Sequence, residues 1–198
     1  MTLSLPFLLS LVWETILSPR EAARQVMAID LPRAIRWQAL FALVLVGSVL
    51  AVTITWMITG HPVMYLGVVP ATPFVAAIVS LSGSVFTVFA IFWIGRAMGG
   101  TGGFGDAISL VAWTQFVVIC MQLVQLAAFI LLSPVSAAVD IAAALISIWI
   151  LTNFIAELHS FKSLSKVFLM IIVTMLGLAF GLSLILAIIG VSVPGVDS

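Results

Sequence analysis

The chain has 198 residues, 64% of them apolar and only 7% charged, and its seven basic residues balance seven acidic ones. Soluble domains carry about 25% charged residues, so an ordinary globular protein is excluded. Without net charge or a basic block there is also nothing to hold a nucleic acid.

The first element is an apolar stretch from Leu3 to Leu17, about 15 residues long and interrupted by Glu14. It is too short to cross a bilayer, which takes about 20 residues. It has no basic flank or cleavage site, so it does not read as a secretory signal. The expectation is a helix in the membrane interface or packed under the bundle. Ser18-Pro19-Arg20-Glu21 reads as a second helix start, with Ser18 as cap, Pro19 in the first position and Glu21 closing a capping box. Asp30-Leu31-Pro32 restarts the chain in the same way. Residues 1–36 are thus expected to form short interfacial helices, and 37–198 a membrane domain.

Five apolar runs then follow, at 37–59, 72–94, 107–132, 135–156 and 164–190. They are continuous and do not alternate with period two, which predicts an all-α bundle of five spans and not a barrel. Arg20, Arg24, Arg33 and Arg36 precede the first run, Arg96 lies between the second and third, and Lys162 and Lys166 lie between the fourth and fifth. With five spans, all seven fall on one side. The positive-inside rule puts that side in the cytoplasm, so the N-terminus is expected inside and the C-terminus outside.

Glycine crowds the loop between the second and third spans, at Gly99, Gly100, Gly102, Gly103 and Gly105. No Lys-Ser or Lys-Thr follows and no strand precedes, so a phosphate-binding loop is not expected. The reading is a tight turn with Phe104 dipping into the interface. Gly103-Phe104-Gly105-Asp106 is spelled like the motif of intramembrane aspartyl proteases. That chemistry needs two neighbouring carboxylates, and Asp140, the other candidate, is expected about 20–30 Å away at the far membrane face. Asp106 is read as a cap of the third span. Metal and haem are not expected, because His61 and His159 lie on opposite sides and Cys120 is the single cysteine.

Polar side chains inside spans cost free energy and mark candidate sites. Gln115, Gln122 and Gln125 share a face of the third span, and Asp140 and Asn153 lie on the fourth. They read either as interhelical hydrogen bonds or as a polar path for a solute. Gly177 and Gly181 form a small-residue pair in the fifth span, and Ala76, Ser80 and Ser84 a stripe in the second. Both suit close helix packing, within the chain or between copies. Ser82-Gly83-Ser84 reads as a break in the second span, the one hint of a carrier.

Two segments carry a family resemblance. One is Met98-Gly99-Gly100-Thr101-Gly102-Gly103-Phe104 followed by Ser109-Leu110-Val111-Ala112-Trp113; the other runs from Trp149 to Lys166 and contains Glu157-Leu158-His159-Ser160. With five spans and a helical N-terminus, the chain resembles the Yip1 family, in its bacterial branch. Residues 1–36 do not resemble the long polar N-terminus of the eukaryotic branch. The resemblance implies a five-span helical protein with a cytoplasmic N-terminus, no catalytic residues and no cofactor. It implies a role in membrane traffic, membrane shaping or binding other membrane proteins. By matching position, Gly99, Gly100, Phe104, Glu157, His159 and Lys166 are the candidate interaction residues. The expectation is a non-enzymatic inner-membrane protein that binds or organises other membrane components. Its partners are the lipid bilayer and either another membrane protein or a second copy. A solute carrier using the polar face is the alternative. Bulky residues at Gly99 and Gly100 are expected to weaken partner binding without unfolding the bundle.

Overall fold

The computed structural model describes residues 4–61, 64–65, 69–70, 72–131 and 136–188. The element order is α1 (Leu5–Leu17), α2 (Pro19–Met27), α3 (Arg33–Thr59), β1 (Met64–Tyr65), β2 (Val69–Pro70), α4 (Pro73–Ala97), α5 (Phe104–Leu131), α6 (Ser136–Leu158) and α7 (Leu164–Ile188). Helices α3 to α7 are each long and apolar enough to cross a membrane. They coincide with the five expected runs to within a few residues. The two short strands pair antiparallel, Met64 with Pro70 and Tyr65 with Val69, in a loop that composition alone left without structure.

Helix α4 begins with Thr72, whose Oγ1 accepts the Val75 N–H at 3.3 Å, and with Pro73 in the first turn. It runs unbroken through Ser82-Gly83-Ser84, so the expected break is absent: the backbone ladder continues and nothing crowds Gly83. The start of α2 also departs from expectation. Ser18 occupies the cap position but its side chain makes no capping bond. Its N–H instead donates to the Glu14 carbonyl at 2.7 Å, and Glu21 pairs with Arg24. Asp30 does not cap α3 either; Pro32 stands in that position.

The basic residues all gather at one end of the bundle, called here the basic end. The core gathers there too. On α5 the buried residues run from Ala107 to Val117. On α6 they run from Ile150 to Leu158, followed by His159 just past its end, and on α7 they are Val167 and Ile171. Toward the opposite end, described residues such as Leu131, Ile141 and Phe180 are exposed, as apolar side chains facing hydrocarbon would be. The largest helix interface is α3 with α5, and α7 packs chiefly on α6.

Helices α1 and α2 join this core. Leu11, Ala22, Ala23 and Val26 belong to the same buried cluster as Ile108 and Phe154. Thr15 is fully buried, and its Oγ1 accepts the Trp113 Nε1–H at 2.9 Å. The opposite face of α1 presents Leu5, Leu9, Trp13 and Leu17, spaced by four residues and exposed.

Candidate functional site

At the basic end, two turns meet that are 57 residues apart in sequence. Helix α4 ends in a Schellman motif: the Gly100 N–H donates to the Gly95 carbonyl and the Gly99 N–H to Arg96. Gly99 has φ +88°, the left-handed conformation this turn requires. Helix α6 ends in the same motif: the Phe161 N–H donates to the Ala156 carbonyl and Ser160 to Glu157. Here Ser160, at φ 56°, takes the glycine's place.

His159 joins the two turns. It is 2% exposed. Its Nδ1 accepts the Gly102 N–H at 3.2 Å, and its Nε2 lies 3.0 Å from the Ile91 carbonyl. A carbonyl only accepts, so the proton sits on Nε2 and the ring is neutral. Phe161 stacks on the ring at 5.5 Å. Burial holds the imidazole pKa below its ordinary value; the Ile91 bond opposes this and the Arg96 charge adds to it. The surrounding glycines form a socket. A Cβ at Gly95 or Gly100 would overlap the imidazole, and one at Gly102 would stand 2.7 Å from Leu158 Cγ. A bulky residue at Gly100 would therefore dislodge His159, contrary to the expectation that this loop tolerates it. Gly99 has open space but a strained φ for any other residue.

Helix α2 is fastened to the second of these turns. Arg20 donates to the Phe161 carbonyl at 3.2 Å, and Arg24 pairs with Glu157 at 3.6 Å. Phe104, expected to dip into the interface, is half-buried. It packs with Phe89, Phe92 and Trp37 at 5.2–6.3 Å, beneath the Arg33 guanidinium. Asp106 stands in the first turn of α5, where the helix dipole favours a carboxylate. There it binds Arg36 at 3.1 Å, and Arg36 also donates to the Leu31 carbonyl. Lys166 is exposed in the first turn of α7, its N–H on Ser163 Oγ at 3.4 Å.

The structure brings Gly100, Glu157 and His159 into one assembly and leaves the intramembrane polar residues apart from it. Gln115 donates to Ser84 Oγ at 2.9 Å, which joins α5 to α4. Asn153 is buried and donates to the Trp149 carbonyl of its own helix. Gln125 is half-buried, and Asp140 is exposed near the start of α6, beside the far end of α5 from Asp106. Gln122 Oε1 is buried with no hydrogen-bond partner. Ala76 and Ser84 face inward, whereas Gly177 and Gly181 have no neighbour within 4 Å of a Cβ. Among the described residues, no three His, Cys, Asp or Glu side chains converge to hold a metal. The Thr15–Trp113 bond and the Arg20 clamp escaped sequence reasoning; the only sign was a polar residue within an apolar helix.

A family model described as Yip1 domain matches residues 13–186, from within α1 to near the end of α7. No curated protein and no solved structure matches the chain.

Proposed function

The chain belongs to the Yip1 family, and on that premise we propose that this multi-pass membrane protein is non-enzymatic and binds and organises other membrane components through its basic end. One observation carries the reading: both family turns and α2 are welded into a single platform around His159. Both nitrogens of that imidazole are occupied, so it offers no free base. What the platform leaves outward is a surface that includes Thr101, Ser160 and Lys162. A surface held rigid in advance binds with less loss of conformational entropy. The seven basic residues support a cytoplasmic placement of this end, with the C-terminus outside; the bacterial inner membrane rests on the resemblance to the bacterial branch.

Photo-cross-linking residues placed singly at Thr101, Ser160 and His61 test this in cells. The expected result is one shared protein adduct from Thr101 and Ser160, absent from His61 at the other end. No adduct, or the same adducts from all three positions, would remove the platform as the contact.

A second reading, a carrier of a small solute, has one observation in its favour. The orphan Gln122 Oε1 is a buried acceptor of the kind that a water or solute would satisfy. Coupled carriers commonly use broken helices near mid-membrane, and α4 is continuous. Liposome flux abolished by Gln122→Leu would promote this reading over the first.

A further inference from the structure

Two cavities at the side of the bundle share a wall. The first, of about 150 Å³, lies between α4 and α7 with α6 as its floor; Phe86, Ala90 and Ile94 line one side, Met170 and Thr174 the other. The second, of about 340 Å³, lies at the basic end between Met98, Phe161, Lys162, Ser163 and Lys166, and Met170 lines it as well. The residues fall on two rails. Along α4 and its C-cap, Phe86, Ala90, Ile94 and Met98 recur every four residues; on α7, Lys166, Met170 and Thr174 do the same. At 1.5 Å per residue the α4 rail is about 18 Å long, close to the roughly 15 Å of one leaflet's hydrocarbon. The inner part of this cleft is apolar and its mouth is cationic. Neither lysine takes part in an ion pair among the described residues, where the acids Glu21, Glu157 and Asp106 serve Arg24 and Arg36. Met170 borders both parts.

We propose that this cleft is a binding site for one anionic phospholipid of the basic-end leaflet, with Lys162 and Lys166 on the headgroup phosphate and an acyl chain along the rails. The charge at the mouth selects an anionic headgroup; the apolar rails select a lipid over a free anion. A partner's transmembrane helix would fill the apolar part but would leave two ammonium groups unmatched. The proposed site shares Phe161 and Lys162 with the platform, but it does not require a protein bound there.

The test uses the purified full chain in mild detergent, with native mass spectrometry and thermal melting. The probes are phosphatidylglycerol, phosphatidylcholine with the same acyl chains, and inorganic phosphate. One phosphatidylglycerol should be retained per chain, preferred about thirtyfold over phosphatidylcholine, as two lysines near a membrane surface would give. Inorganic phosphate should not raise the melting temperature. Lys162→Gln with Lys166→Gln should abolish the preference and leave melting without lipid unchanged, because both side chains are exposed. Ala90→Trp should reduce retention of both lipids. Retained preference in the double lysine variant overturns the site, as does equal stabilisation by inorganic phosphate. So does a copurifying protein segment that Ala90→Trp expels and the lysine variant keeps.

Discussion

At the scale of single residues, the basic end depends on one neutral imidazole. Protonating His159 would put a second N–H on Nδ1, pointed at the Gly102 N–H that it now accepts. Two donors would then face each other inside a buried site. The unfolded chain carries an ordinary histidine, near 6.5, and the folded pKa lies lower, so the unfolded state binds the proton more readily between the two. Stability is therefore full above about pH 6.5 and falls as the pH drops toward the folded value, below which it levels off. A melting series from pH 8 to 5 in detergent should show that decline, and His159→Gln should flatten it. A decline that survives the substitution would assign the pH dependence elsewhere. The glycines around the ring make a second prediction. Gly100→Ala forces a methyl into the imidazole and should cost about 1–3 kcal/mol. Ser160→Gly, which relieves a left-handed serine, should raise stability by about 0.5–1 kcal/mol. Chemical denaturation of the two variants should move midpoints in opposite directions.

At the scale of elements, α1 is held against the bundle by a polar bond in an apolar setting. Trp113 is nine residues into α5, about 13 Å from its first turn, and its indole N–H is satisfied by Thr15. Thr15→Val keeps the shape of that contact and removes the acceptor. In a cycle with Trp113→Phe, the coupling should fall near about 0.6 kcal/mol, the average for hydrogen bonds between membrane helices, and not above about 1.7 kcal/mol. Zero coupling would mean that apolar contacts alone seat α1. Much of this level was legible in the sequence. Continuous apolar runs gave the five spans because helix length in hydrocarbon is set by bilayer thickness. Glycine density marked the α4–α5 turn. What the sequence did not disclose was that His159 fills that turn, or that Thr15 reaches Trp113. Such contacts join positions 57 and 98 residues apart, and no local period encodes which faces of packed helices will meet. The cap expected at Ser18 failed for a local reason: its N–H is taken by the Glu14 carbonyl and the Glu21 carboxylate by Arg24.

At the scale of the whole molecule, packing is uneven along the membrane normal. The basic end holds α2, both Schellman turns and most of the core; the opposite end presents apolar side chains outward. Charge follows the same gradient, and the orientation of the molecule rests on it. A labelling experiment must respect the packing just described. Gly102 stands on Leu158 and His159, so a cysteine there would disturb what it reports on. Thr101 is exposed one residue earlier, and His61 is exposed at the other end. In a Cys120→Ala background, which removes the single native thiol, a membrane-impermeant maleimide should label His61→Cys on intact cells. It should label Thr101→Cys only after permeabilisation. The reverse pattern would place all seven basic residues outside the cell. It would then withdraw the platform from any cytoplasmic partner and move the proposed lipid site to the outer leaflet.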